Sequence, residues 1–287
     1  MRFFPLILTF LAAACSGGES ADDAPQDAAS SAPATLEPLW VATGFSAPEG
    51  VAAAPAGGYF ISNVAGEGDA KDGEGWVSIL AEDGKIIEAR FIDGLDAPKG
   101  MAVLDGALYV ADINTVRIFD ASTGERRGEI VIDGAEFLND ATVWKGAVYV
   151  SDSATASIHR LSGNSRAEVW LTDEMLGGVN GLLGGGENLL ISTMDTGSLY
   201  KASDAKELTA IADGMIDADG IGIVHGGGWL VSAWRGVIYS VSPEGEVTEL
   251  LDTRQDEILQ NDLTVFGDTV IVPNWRPGTV TAWRIVK

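Results

Sequence analysis

Six short polar steps, each followed by an apolar run, recur along this chain about forty residues apart. The first polar residues of these steps are Glu49, Lys99, Asn139, Asn180, Asp219 and Asn261. All except the lysine carry a side-chain oxygen that can bind a cation. Carboxylate and amide oxygens are hard ligands that suit Ca²⁺ or Mg²⁺, whereas zinc prefers His or Cys. A fold that gathers these residues would therefore create a site for a divalent cation.

The segments around the six steps predict such a fold. Successive steps are 50, 40, 41, 39 and 42 residues apart. Each step leads into an apolar strand, a Gly-containing turn such as Asp105-Gly106 and a second strand, with no helical stretch between them. Short strands repeated at this period are typical of a β-propeller. We predict an all-β, six-bladed β-propeller with the six polar residues around its axis.

The two ends of the repeat region predict how the ring closes. The last repeat supplies only three strands, and a spare apolar stretch at residues 39–43 precedes the first repeat. We predict that this N-terminal strand completes the last blade and removes an open sheet edge. The predicted propeller spans residues 39–287. Residues 16–38, rich in Ser, Ala, Asp and Pro, are predicted to be a disordered tether.

Residues 1–15 are typical of an export signal. Arg2 precedes an apolar run at residues 3–10 that is too short to remain across a bilayer. Small residues lie directly before Cys15, the only cysteine, as in a bacterial lipoprotein processing site. The alternative is a plain secretory signal with an incidental cysteine. We predict lipidation of Cys15 and a periplasmic protein held at the outer membrane by this anchor.

The charge of the chain disfavours several classes of partner. It contains 42 acidic and 18 basic residues, a formal net charge of -24. Binding to nucleic acid depends on Lys and Arg at phosphates, so this class is disfavoured. An anionic membrane surface or a polyanionic substrate is disfavoured for the same reason. The predicted partner is a small-molecule substrate, the membrane is contacted only through the lipid anchor, and the oligomeric state stays open.

The charges of the polar steps suit a divalent ion. Glu49 and Asp219 would carry two negative charges, and Asn139 and Asn180 would add amide dipoles. Asn-Gly, Asp-Gly and Glu-Gly steps are also ordinary turn sequences, which is the alternative interpretation. Their occurrence in register favours a metal site. Lys99 is discordant, because an ammonium group beside a bound cation would repel it, and its role stays open.

Loops between second and third strands should reach the same face of a propeller as the polar steps. Together with the steps they predict a substrate pocket made of Lys99, Phe137, Met194, Trp234, Asn261 and Trp275. The aromatic residues could instead pack between blades. The loop at residues 65–75 is the longest of these and is predicted to act as a lid.

From about residue 38 onward the chain resembles the gluconolactonase, regucalcin and luciferin-regenerating-enzyme family and, more distantly, the diisopropylfluorophosphatases and paraoxonases. The resemblance rests on the repeated strand pattern of about forty residues and on the steps that begin at Glu49, Asn139, Asn180 and Asp219. It implies that these four residues bind a metal, Ca²⁺ with Mg²⁺, Mn²⁺ or Zn²⁺ as alternatives. It also implies catalytic roles for Asn139 and Asp219, the latter as general base. Asp213-Gly214 is a competing match, but only Asp219 stands directly before an inner strand.

The departures from the family pattern concern the substrate. The sugar-lactonase branch has an arginine two residues before the matched asparagine, where this chain has Phe137. With the aromatic rim, this difference favours a hydrophobic lactone or ester. The implied function is a metal-dependent hydrolase in which the cation polarises the carbonyl and Asp219 is the base. The alternatives are a non-catalytic, lipid-anchored propeller with a structural metal, and a lyase or isomerase that uses Lys99.

Overall fold

The computed structural model describes residues 34–163 and 165–286 of the chain. The predicted signal, Cys15 and residues 16–33 of the predicted tether lie outside the described residues. The described chain is almost entirely β-strand, with two 3₁₀ turns at Glu174–Leu176 and Arg254–Asp256. Over these residues no helix has the length and apolar character needed to cross a bilayer.

The strands fall into six consecutive blades. Blades 1 to 3 contain β2 (Pro48–Ala53), β3 (Tyr59–Asn63), β4 (Gly75–Leu80), β5 (Ile86–Leu95), β6 (Pro98–Leu104), β7 (Ala107–Asp112), β8 (Thr115–Asp120), β9 (Arg126–Val131), β10 (Leu138–Trp144), β11 (Ala147–Asp152), β12 (Ser157–Ser162) and β13 (Arg166–Thr172). Blades 4 to 6 contain β14 (Val179–Gly185), β15 (Asn188–Thr193), β16 (Ser198–Ala202), β17 (Leu208–Ala212), β18 (Ala218–Ile223), β19 (Trp229–Ala233), β20 (Val237–Val241), β21 (Val247–Asp252), β22 (Leu259–Gln260), β23 (Thr264–Phe266), β24 (Thr269–Arg276), β25 (Thr279–Val286) and the N-terminal strand β1 (Thr35–Thr43).

The sheet order confirms the predicted six-bladed propeller and its closure. Each of the first five blades is a four-stranded sheet in sequence order, and the sixth has the order β1-β25-β24-β22, with β23 also paired to β24. Strand β1 pairs antiparallel with β25 along its whole length. It begins at Thr35, so residues 35–38 belong to the propeller and the predicted boundary at residue 39 lies four residues late. Leu36 packs partly against the apolar cluster between blades 5 and 6, which explains the extension.

The apolar core lies between neighbouring blades. Six clusters of buried residues occupy the six interfaces, each drawing on the two blades that meet there. Between blades 1 and 2, for example, Phe60 and Val77 pack with Met101, Leu108 and Phe119. Burying each large apolar side chain contributes roughly 1.5–3 kcal/mol. This packing explains why many strands are apolar on both faces.

The inner strands are irregular where their polar residue lies. In blade 5 the pairing of β18 with β19 shifts register between Ala218 and Ile221, next to Asp219. The same shift occurs at the corresponding place in blades 1 to 4. A β-bulge bends a strand and redirects a side chain. It is therefore the local feature that, in blades 1 to 5, turns the first polar residue of each step toward the axis. We call these residues and Asn261 of blade 6 the ring residues.

In blades 1, 3 and 5 a serine on the second strand accepts a hydrogen bond from a backbone amide that the bulge frees. The amide of Gly50 donates to Ser62 Oγ at 2.7 Å, and that of Gly220 donates to Ser232 Oγ at 2.8 Å. Such a serine recurs at the end of the second strand in four blades, at Ser62, Ser151, Ser192 and Ser232. Since buried backbone groups must be hydrogen-bonded, this recurrence is a sequence signal for the bulge.

The direction of the strands defines two faces. The ring residues lie where the inner strands begin, at what we call the upper face. Because neighbouring strands are antiparallel, β25 ends and β1 begins at the opposite, lower face, where Thr35 pairs with Val286. The described chain therefore both begins and ends at the lower face.

Removal of residues 34–43 is expected to lower the melting temperature by more than about 10 °C or to prevent soluble folding. The deletion exposes the edge of β25 and part of the cluster that contains Ala42 and Phe45. It also removes the hydrogen bond from Trp40 Nε1 to the carbonyl of Glu82 in blade 1. Scanning calorimetry would measure the change. A deletion of residues 16–33 is the control, and equal melting temperatures for the two deletions would contradict the closing role of β1.

Candidate functional site

The structure brings the predicted site residues together in one cavity. A pocket of about 280 Å³ opens at the upper face of the propeller. It is lined by Glu49, Gly68, Lys99, Phe137, Asn139, Asn180, Met194, Asp219, Trp234, Asn261 and Trp275. The six ring residues are each at most 6% exposed. Gly68, from the loop between β3 and β4, is the lining residue that was not among the predicted site residues.

Two carboxylates at the floor are desolvated and repel each other. Burial raises the pKa of Glu49 well above its usual value, and the charge of Asp219 raises it further, while Lys99 lowers it. Burial, with the charges of Asp140 and Asp217, raises the pKa of Asp219 to about 8. Among the described residues no hydrogen bond reaches either carboxylate. Buried charges are stable only when they are paired or bind a metal, so these two carboxylates require a cation or bound protons.

The amide of Asn139 is oriented with its oxygen free. Its Nδ2 donates to Ser153 Oγ at 3.1 Å, and Ser153 Oγ donates in turn to the carbonyl of Val179 at 2.6 Å. Because the serine uses its hydrogen on Val179, it accepts from the amide nitrogen, which fixes the amide orientation. Asn139 Oδ1 is then buried and has no hydrogen-bond partner in the part of the chain that the structure describes. A buried carbonyl oxygen without a hydrogen-bond donor, located in a pocket wall, is suited to bind a cation.

The donor set fits a hard divalent cation. Glu49, Asn139, Asn180 and Asp219 supply two carboxylates and two amides, which match the oxygen ligands of Ca²⁺ and leave zinc without its preferred donors. Across residues 34–163 and 165–286 there is no group of three or more His, Cys, Asp or Glu side chains suited to hold a metal. A site at this ring would therefore depend on the amides as much as on the acids.

A second pair of acids, of which Asp262 is buried and Asp140 half-buried, lies behind the ring. Asp140 and Asp262 line a cavity of about 230 Å³ along the inner strands. Burial raises the pKa of Asp140 to about 7, although the amides of Leu182 and Ala141 donate to it at 2.6 and 2.7 Å. Burial and the neighbouring acids raise the pKa of Asp262 well above its usual value. Both residues directly follow a ring asparagine, and this Asn-Asp repetition was the signal that could have identified them.

Acidic and amide side chains at the ends of second strands hold the loops that lead into the ring. Asp152 Oδ1 accepts from the amide of Phe137 at 3.0 Å, and Asp112 Oδ1 accepts from the amide of Ala97 at 2.7 Å. Asn63 Oδ1 accepts from the amide of Ser46 at 3.1 Å. These side chains lie on the same face as the pocket but do not line it. They position the residues just before Glu49, Lys99 and Asn139.

The upper wall of the pocket is apolar. The rings of Trp234 and Trp275 pack edge to face with centroids 5.8 Å apart. Met194 and Phe137 extend this wall. A wall of this kind favours an apolar substrate surface over a polyhydroxylated one, because hydroxyl groups placed against it would lose their hydrogen bonds to water.

The other candidate positions lie outside this pocket. Asp213 is exposed and does not line the cavity, unlike Asp219. His159 is buried with Nε2 3.9 Å from Asp152 Oδ2. His225 lines a groove of about 820 Å³ between blades 4 and 5 at the lower face. That groove is the larger space, but its lining has one lysine, one histidine and one acid rather than a convergent set of ligands.

Comparison with solved structures identifies similar propellers. A gluconolactonase from Xanthomonas campestris superposes with a TM-score of 0.65 at 16% identity, covering 89% of this chain and 95% of that chain. Virginiamycin B lyase from Staphylococcus aureus superposes with a TM-score of 0.62 at 13% identity, covering 88% and 100%. A chain of the nidogen/laminin complex gives 0.62 at 14% identity, covering 74% and 86%.

Sequence comparison adds no closer relative. No family model matches the chain, and no curated protein matches it. At 13–16% identity the structural likeness establishes the fold and not the reaction. The chain is a six-bladed β-propeller whose structural neighbours include a gluconolactonase and a streptogramin-type lyase.

Proposed function

We propose that this protein is a metal-dependent hydrolase of an apolar lactone or related ester. The observation that carries the proposal is the pair of desolvated carboxylates, Glu49 and Asp219, with no protein hydrogen-bond donor, beside the free oxygen of Asn139. The gluconolactonase among the structural neighbours supports this reaction class by analogy. Periplasmic export on a lipid anchor at Cys15 is part of the same proposal.

The residues of the ring have distinct roles in this proposal. Glu49, Asn139, Asn180 and Asp219 would hold the cation, with Ca²⁺ as the preferred ion. A bound divalent cation supplies Lewis-acid polarisation of the scissile carbonyl and favours the ionised form of its ligands. Asp219, ionised in that state, accepts the proton of the attacking water. Asn139, held by Ser153, is fixed in orientation before the substrate arrives.

The apolar wall has a separate role. Trp234, Trp275 and Met194 would hold the body of the substrate and exclude water from the floor of the pocket. Exclusion of water strengthens the electrostatic interactions at the carboxylates. Phe137 stands where a sugar-binding arginine would be needed, so a hydroxylated lactone should bind less well.

Hydrolysis by the purified protein is expected to be abolished by EDTA and restored by Ca²⁺. The panel would contain aliphatic lactones, aryl esters, a fluorophosphate and a sugar lactone, and the apolar lactones should be turned over faster than the sugar lactone. Initial rates with Mg²⁺ and Mn²⁺ would rank the ions. No turnover on any substrate, together with a melting temperature raised by Ca²⁺, would contradict the proposal and favour a binding protein with a structural metal.

A further inference from the structure

Lys99 is buried in the pocket, and its contacts account for its charge. The side chain is 3% exposed. Its Nζ donates to the carbonyl of Gly68 at 2.7 Å and to that of Ala97 at 3.1 Å, and lies 4.4 Å from the ring centroid of Phe137. Two carbonyls and an aromatic face are favourable partners for an ammonium group. The ammonium is therefore directed at the backbone and at Phe137.

One of these contacts joins two parts of the site that are far apart in sequence. Gly68 lies in the middle of the loop that links β3 to β4, at residues 64–74, whereas Lys99 lies on β6. The neighbouring loop residues Glu67 and Asp69 are exposed, but Gly68 is half-buried. A Cβ placed on Gly68 would lie 3.7 Å from Phe137 Cζ, so the loop backbone rests against the aromatic wall.

The other hydrogen bonds that join this loop to the rest of the propeller lie near its two ends or at the surface. At its start the amide of Val64 donates to the carbonyl of Ala47 at 3.1 Å. At its end the amide of Gly73 donates to Asp96 Oδ1 at 3.2 Å. Lys71 Nζ donates to Asn114 Oδ1 at 3.0 Å in an exposed contact. The bond from Lys99 is the contact that holds the middle of the loop at the cavity.

We propose that Lys99 is a positioning residue that fastens the loop at residues 64–74 over the mouth of the pocket and so limits the size of substrate that enters. The loop then contributes to the lining of the cavity through Gly68, together with the tryptophan pair. Released from Lys99, the loop would move away from Phe137 and widen the mouth. The consequence for substrate size rests on the proposed function, whereas the attachment of the loop does not.

Hydrogen–deuterium exchange of the purified protein tests the attachment without substrate or cation. In Lys99→Met, whose unbranched side chain is one atom shorter and has no donor, the amide of Ala70, which donates to the carbonyl of Glu67 at 3.2 Å, should exchange about tenfold faster or more than in the wild type. In the matched control Lys71→Met this amide should stay close to wild-type protection. In Lys99→Arg, which keeps N–H donors and charge, protection should be largely retained.

The outcomes separate this inference from the proposed function. Unchanged protection in Lys99→Met would overturn the inference, as would equal loss of protection in Lys71→Met. If Lys99→Met does not fold, as judged by circular dichroism, Lys99→Leu, which also lacks a donor, takes its place, and wild-type protection in that variant would equally overturn the inference. Faster amide exchange in Lys99→Met, with no hydrolysis by the wild type or any variant, would support the attachment of the loop to Lys99 and contradict the proposed hydrolase function. Where hydrolysis occurs, the ratio of kcat/KM for a bulky over a small lactone should rise in Lys99→Met.

Discussion

Replacement of Asp219 by asparagine is expected to lower turnover about a thousandfold while leaving the propeller folded, since a positioned general base contributes typically 10²–10⁴. Asparagine fills the same space but cannot accept a proton from water. It also leaves Glu49 as the single carboxylate among the four predicted ligands, so the affinity for Ca²⁺ should fall as well. Steady-state rates at saturating Ca²⁺ and calorimetric titration would measure the two effects separately.

The Asp219→Asn variant should remain folded, because the side chain that it replaces is uncharged at neutral pH when no cation is bound. Asp219 is 2% exposed and, without a cation, its pKa of about 8 keeps it mostly protonated at neutral pH. An uncharged amide therefore resembles the state that the protein already adopts. Asp217→Asn is the matched control, because Asp217 lies two residues away, is only half-buried and does not line the pocket. Turnover by Asp219→Asn at a rate close to that of Asp217→Asn would rule out Asp219 as the base.

Without a divalent cation, the protein is expected to become less stable as the pH rises from about 5 to about 8, by several kcal/mol, since each unit of pKa shift corresponds to about 1.4 kcal/mol. The pKa of Asp140 is raised to about 7 and that of Asp219 to about 8, mainly by burial. In the unfolded chain both groups lose their protons near pH 4. Between these values the folded protein holds more protons than the unfolded chain, so its stability falls as the pH rises.

A bound cation should reverse this dependence. Ca²⁺ favours the ionised carboxylates, so the difference between the melting temperatures with Ca²⁺ and with EDTA should widen toward pH 8. Groups with a lowered pKa, such as Asp152 with a pKa of about 2, contribute to folding stability until the pH falls below about 4. They therefore do not change the pH dependence between pH 5 and 8. Differential scanning fluorimetry between pH 5 and 9 would give both curves. Parallel curves, with no widening, would show that the buried acids do not share a cation.

The repeat pattern in the sequence was sufficient to predict the fold, and the ring residues that it singled out line one cavity. The spacing of the steps from Glu49 to Asn261 placed one residue per blade at the axis, because every blade begins with the same strand. The N-terminal strand was predicted too short, since Leu36 makes its contact with a distant interface that local pattern does not reveal. The spacing of the repeats predicts which strand a residue belongs to, but it does not predict which residues that residue contacts.

The environment of the ring could not be predicted for the same reason. The role of Lys99 could not be predicted from the sequence, because its partners Gly68 and Phe137 lie in loops that are distant from it along the chain. The desolvation of Asp140 and Asp262 behind the ring depends on how closely neighbouring inner strands approach. A Cβ on Gly100 would lie 2.3 Å from Asp140 Oδ1, so the glycine of one blade makes room for the acid of the next. Contacts of this kind arise only when the blades pack.

The position of β1 has a practical consequence. Because Thr35 and Val286 both lie at the lower face, the two ends of the described propeller are on the side opposite the mouth of the pocket. A solid support coupled directly at either of these two ends would therefore not lie across the path of a substrate.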